Sequence, residues 1–259
     1  MENHWAVVIK GNALDLKNAL LLFERGGVGG VRLGTIELSG GRVLPALFAS
    51  SFGAECRSED VQEEASRLLD LINGILFVTD PGRELLSIWS VHPRTAHGWG
   101  PGYAFMAGSA KGRSHLSGSL DGGAVCERVE PLWVDLAVSH PEVRDVLLFL
   151  RTPEPDWFDL FKASELIESA KAKSWWPERQ FALLTCSAQF ARHARGTYEG
   201  LSPEQRMRLG EARRLVAELA RRWLGWWVEN EVEARAAMDD RVRAMRHGKR
   251  PSGRPRRVP

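Results

Sequence analysis

The segment Arg179–Gly196, RQFALLTCSAQFARHARG, restricts the fold of this chain more than any other. It is helix-forming and apolar on two sides. Stepping about 100° per residue, Phe181, Leu184, Ala188 and Ala191 fall on one side, and Leu183, Cys186, Phe190 and Ala194 on the other. Thr185, Gln189, Arg192 and His193 gather between them in one polar stripe. A helix greasy on two faces belongs inside a bundle, so the stripe is expected to be internal or to line a groove.

The segments around it carry the same helical period. Ser139-His140-Pro141-Glu142 resembles a helix start, with Val143, Val146, Leu147 and Leu150 spaced as one face behind it. Asp156–Ala172 is the next expected helix, after a break at Thr152–Pro155. Ser202-Pro203-Glu204-Gln205 combines a Ser cap, a Pro at the first helical position and a Gln three residues after the cap. From there helical character is expected to run to about Met245, with a kink at Gly210.

The first half reads differently. Trp5–Lys10 is an expected strand, and Ala13–Phe23 an expected helix. Val31–Leu38 and Arg42–Ser50 flank Ser39-Gly40-Gly41 as a hairpin. Ser58-Glu59-Asp60 opens a helix whose stripe is Val61, Ala65, Leu68, Leu69 and Ile72, and Asn73-Gly74 is read as its end. Ile75–Thr79, Glu84–Val91, Tyr103–Ala107, Ser114–Leu120 and Ala124–Val129 are short strand candidates. The expected fold is therefore α+β: a mixed-sheet domain over residues 1–137, a helical bundle over 138–247 and a basic tail over 248–259. The two halves have no long linker between them and could share one core.

With 44% hydrophobic and 26% charged residues, the 259-residue chain can bury a sizeable core. Trp175, Trp176, Trp223, Trp226 and Trp227 lie among the helical patterns, where large rings fill a core or an interface. Three indoles on one helix, at Trp223, Trp226 and Trp227, suggest a dimer or partner surface. Cys56, Cys126 and Cys186 are too scattered for a zinc site or a disulfide framework. The N-terminus lacks the pattern of a signal peptide, and no apolar stretch reaches the roughly 18 residues of a membrane span. A reducing, cytoplasmic setting is expected, with no membrane partner.

Candidate chemistry is sparse. The glycine-rich run Glu24–Gly30 lacks the Lys-Ser/Thr of a phosphate loop and reads as a turn. His92, His97 and His115, near Asp121 and Cys126, have no spacing that would fix a metal, so neither metal nor cofactor is expected. In the polar stripe, Arg192 offers a planar fork to an oxyanion and His193 a base near neutral pH. The plainer reading is a hydrogen-bond network between helices, through Glu165 or Glu168. From Arg241 onward there are eight Lys or Arg and no acid, a composition that attracts nucleic-acid phosphates, RNA included.

Within that basic stretch, RVRAMRH separates Arg241 from His247 by five residues. The helical half resembles HEPN domains, all-helical units of many prokaryotic toxin and defence ribonucleases that carry an Arg-x(4–6)-His motif. The resemblance implies a metal-independent endoribonuclease whose site forms where two copies meet. Arg241 would stabilise phosphate charge there and His247 would move a proton. Two functions follow as expectations. The first is a non-catalytic interaction or regulatory protein, self-associating through its helical half and touching nucleic acid with its basic C-terminus. The second is a HEPN-like endoribonuclease, active as a homodimer. A weaker third is an enzyme with a pocket at the seam between the halves.

Overall fold

The computed structural model describes residues 4–24, 30–104, 130–192 and 206–246. The chain is α+β, a curled antiparallel sheet followed by a run of helices. Strand β1 (Trp5–Lys10) leads through Asn12, whose side chain accepts the Leu14 amide at 2.9 Å, into helix α1 (Ala13–Phe23). Strands β2 (Arg32–Leu38) and β3 (Arg42–Phe48) form the expected hairpin. Its turn holds Gly40 and Gly41 at φ 100° and 78°, a region that glycine enters at no steric cost.

Helix α2 (Ser58–Thr79) precedes β4 (Ser87–Thr95), β5 (Gly98–Trp99) and β6 (Tyr103–Ala104). The sheet order is β2-β3-β1-β4-β5, with β6 also on β4. The expectation of a mixed sheet is corrected, since every pairing among the described residues is antiparallel. A register shift opposite Val8 and Ile9 leaves Trp89 as a bulge in β4. β5 comes round to lie near β2, so the sheet curls toward closure.

Helices α3 (Glu130–Ser139), α4 (Pro141–Phe149), α5 (Trp157–Ile167), α6 (Glu178–Arg192), α7 (Leu209–Glu229) and α8 (Glu231–Arg246) complete the described chain, with a 3-10 turn at Glu168–Ala170. The sequence pattern does not announce α3. Helix α2 joins the two halves: it packs on β1 and β4 on one side and on α3, α4 and α7 on the other. One apolar cluster accordingly runs from Val7 and Leu33 in the sheet to Trp223 and Met238 in the helices.

Several expectations need correction. Asn73-Gly74 does not end α2, and Ile75–Thr79 is its last turns and not a strand. A short apolar run reads equally as strand or buried helix, and here neighbours on both sides bury everything from Leu71 to Val78. The Asn73 amide is spent on Leu86 instead of on a helix end, donating to its carbonyl at 3.0 Å and accepting its N–H at 2.9 Å.

Helix α7 begins at Leu209, where the Arg208 amide donates to Glu211 at 2.9 Å, so Gly210 lies in its first turn and kinks nothing. Asn230 then separates α7 from α8, a break the periodicity does not reveal. The start signal at Ser202–Gln205, the strand candidates Ser114–Leu120 and Ala124–Val129 and the tail 248–259 lie outside the described residues.

Among the described residues α6 packs chiefly on one helix. Among its described residues only Leu184, Ser187 and Ala188 are buried. Its partner helix is α5, and the Met207 amide donates to the buried Ser187 Oγ at 3.0 Å. Trp176 lies 4.5 Å from Phe181, and the Arg206 guanidinium lies 3.3 Å over Phe190.

The three indoles of α7 form no outer surface. Trp223, Trp226 and Trp227 are all buried, because α2, α3, α5 and α8 surround that helix. Trp223 donates its indole N–H to Ser169 Oγ at 3.1 Å and meets Trp227 edge-on at 5.8 Å.

Candidate functional site

Of the residues expected to carry chemistry in the helical half, the structure describes only the backbone of the two arginines. Arg192 is the last residue of α6, and His193 follows it outside the described residues. Arg241 lies in α8, which continues to Arg246, and His247 is again outside them. The side chains of Arg192 and Arg241 also fall outside the description. Of the same polar stripe, Thr185 donates to the Phe181 carbonyl one turn back, at 3.0 Å. Lys162 bonds Glu165 at 2.8 Å, and Lys171 lies 3.9 Å from Glu168.

His92 is a core residue. It is buried, and its Nδ1 lies 3.0 Å from the Gly100 carbonyl, which makes that nitrogen the donor. Nε2 is then the acceptor for Ser90 Oγ at 2.8 Å. Both ring nitrogens are engaged, and Gly102 packs so closely that a β-carbon there would run into the ring. His97 is exposed in the β4–β5 turn, while His115, Asp121 and Cys126 lie outside the described residues. Among the described residues no group of His, Cys, Asp and Glu could hold a metal ion.

Two arginines without a carboxylate partner among the described residues lie at one end of the sheet. Arg32 pairs with Phe48 across β2 and β3, and Arg94 with Trp99 across β4 and β5. Cross-strand partners point to the same face, so each guanidinium settles over its partner's ring. The guanidinium carbon of Arg32 lies 4.2 Å from the Phe48 centroid, and that of Arg94 lies 4.9 Å from Trp99. The two rings are 6.0 Å apart across the curl. The result is one continuous row, Arg32–Phe48–Trp99–Arg94, contributed by four strands.

Beneath the row is a second small apolar core of Ala6, Val8, Ile36, Ala46 and Phe48. Gly34 leaves the room that Arg32 needs: a β-carbon there would lie 3.0 Å from Arg32 Nη1 and 3.3 Å from Phe48 Cε2. Phe48 is buried, Trp99 and Arg32 are half-buried, and Arg94 is exposed. Among the described residues neither arginine has a carboxylate partner, so their in-plane N–H donors remain available to an anion. At the other end of β1, Lys10 lies 5.3 Å over Trp89, an indole that is half exposed.

Sequence reasoning alone misses this row. The signal is present in Arg94 and Trp99 on either side of the Thr95–Gly98 turn, but residues 92–102 read as loop. Arg32 and Phe48 can be matched only with the hairpin register in hand.

A second polar cluster joins α4 to α8. His140, at the N-cap of α4, is buried, lies 4.7 Å from the Trp227 ring and bonds Glu231 Oε1 through Nε2 at 3.0 Å. Nearby, Lys173 donates to Glu233 at 2.6 Å and covers Trp226 at 4.8 Å. The Lys173 hydrogen bond holds the Glu233 carboxyl below its ordinary value. Among the described residues no hydroxyl or thiol bonds to His140, so a nucleophile for it to activate is not supplied there. The cluster ties α8 down.

No family model matches this chain, and comparison with curated proteins and with solved structures returns no match. Among the described residues no helix is long and apolar enough to cross a membrane.

Proposed function

We propose that this chain is a non-catalytic binding protein that contacts nucleic acid. Its cationic surfaces would be the Arg32/Arg94 end of the sheet and the basic segment from Arg241 onward. The observation that carries the reading is the pair of arginines laid on aromatic rings without a carboxylate partner among the described residues. A guanidinium held on a ring is already ordered and partly desolvated, so binding a phosphate costs it little further freedom. A solubilising surface charge needs no such seat.

The test is fluorescence anisotropy with labelled RNA over a range of salt concentrations. Affinity is expected to fall with salt. On a single strand each neutralised phosphate contributes roughly 0.7 to the log–log slope, so the Arg32→Ala/Arg94→Ala double variant should have a slope shallower by about 1.4. An unchanged slope in a folded double variant would remove the sheet from the reading.

A second reading is the dimeric HEPN-like endoribonuclease built on Arg241 and His247, or on Arg192 and His193. It draws support from α8, a regular helix that carries Arg241 and runs to Arg246, next to His247. Cleavage of RNA without metal, abolished by His247→Ala or His193→Ala in a protein that remains folded, is the result that reading requires. Intact RNA after incubation with folded wild type would eliminate it.

A further inference from the structure

We infer that the nucleic acid taken by the sheet end is single-stranded, with a base stacking on the outer plane of the Arg94 guanidinium. This rests on the reading that this end contacts nucleic acid, and it names the class of ligand.

Arg94 forms the exposed end of the row, with its guanidinium carbon over the Trp99 indole at 4.9 Å from the ring centroid. Trp99 is backed in turn by Phe48 at 6.0 Å, and Phe48 by Arg32 at 4.2 Å. Phe48 is buried and Trp99 half-buried, so the most exposed planar group of the row is the Arg94 guanidinium at its end. Guanidinium planes are established platforms for unstacked bases, and their N–H groups remain free at the edge for phosphate or base oxygens.

A duplex cannot use that plane. Its base faces are taken up by their own neighbours, and it presents only phosphates and base edges. A single strand offers a π-face and a phosphate together. Thr95 Oγ1 donates to the Gly98 carbonyl at 2.9 Å, closing the turn that presents Arg94 and Trp99 to each other. The platform is thus part of the folded hairpin before any ligand arrives. Charge complementarity favours a polyanion, and the stacked plane favours bases over an acidic peptide.

The experiment compares a labelled single strand with a duplex of the same length, by anisotropy at fixed salt, using wild type, Arg94→Lys and Arg94→Ala. Thermal melts followed by circular dichroism establish that each variant is folded. Arg94→Lys keeps the charge and removes the plane. It should weaken single-strand binding about five- to tenfold, the scale of a single base–side-chain stack, and leave duplex binding within about twofold of wild type.

Equal wild-type affinity for single strand and duplex, or full retention of single-strand affinity by Arg94→Lys, would overturn the inference and leave nucleic-acid contact standing. Displacement of the strand by polyglutamate at matched charge would overturn it in favour of an acidic protein partner. Absence of binding to either nucleic acid at low salt would remove the underlying reading as well.

Discussion

Gly74 of α2 and Leu147 of α4 meet backbone to backbone. A β-carbon on Gly74 would collide with the Leu147 carbonyl oxygen and stand 2.9 Å from its carbon and 3.0 Å from its Cα. Backbone cannot rotate aside as a side chain can, so any larger residue must push the helices apart. In an exposed helix, Gly→Ala stabilises by about 1 kcal/mol. Here Gly74→Ala is expected to destabilise by at least about 2 kcal/mol, because separating α2 from α4 loosens the one core both halves share. Urea denaturation measures the difference, and a stabilised variant would show that the two backbones are not in close approach.

Asn73 next to it is held by a different requirement. Its amide satisfies both backbone groups of Leu86, all of them buried. Asn73→Ala leaves a buried N–H and a buried carbonyl without partners, for an expected loss of about 2–4 kcal/mol. The loss should be accompanied by faster hydrogen exchange at the Leu86 amide, which opens the approach to β4. Unchanged exchange at Leu86 in a destabilised variant would place the cost elsewhere.

Lys173 and Glu233 predict an acid dependence. The Lys173 hydrogen bond holds the exposed Glu233 carboxyl below its ordinary value of 4.5; the Lys173 charge adds to this, and desolvation opposes it. A carboxyl depressed in the folded state contributes stability above its unfolded value and loses it as pH falls through the folded one. The contribution of this exposed pair to holding α8 is small, and it is expected to be lost on acidification below about pH 4.5. Lys173→Met should move the Glu233 midpoint upward in a carbon-detected NMR titration. A midpoint that stays in place would show that the pair is not formed in solution.

These three cases also show where sequence reasoning reaches and where it stops. The bounds of β1 and α1 are legible because a short β-branched apolar run and helical spacing are both local signals, and Gly11 and Asn12 punctuate them. Asn73-Gly74 misleads because the same dipeptide that stops an exposed helix can, inside a bundle, serve a hydrogen bond to Leu86 and a close approach to Leu147. Neither partner is near in sequence. The row at the sheet end is hidden for a related reason. Arg32, Phe48, Arg94 and Trp99 are ordinary residues until strand register and curl bring β5 round to β2. The three indoles of α7 point outward only on the assumption that one helix faces one neighbour, and among the described residues α2, α3, α5 and α8 all pack on α7.

His140 allows the last prediction, because its two contacts can be separated by substitution. The ring packs on Trp227 at 4.7 Å inside the core, while Nε2 reaches Glu231, a side chain that is 59% exposed. An ion pair or hydrogen bond to an exposed carboxylate contributes little, since water takes up the carboxylate when the partner leaves. Removing a buried ring leaves a cavity beside an indole that cannot collapse to fill it. His140→Phe should therefore cost within about 1 kcal/mol, and His140→Ala about 2–3 kcal/mol. Glu231→Gln should resemble the Phe variant in size. If Phe and Ala destabilise equally, the bond to Glu231 dominates at this position, and α8 is held by polar groups and not by the packing of α4 on α7.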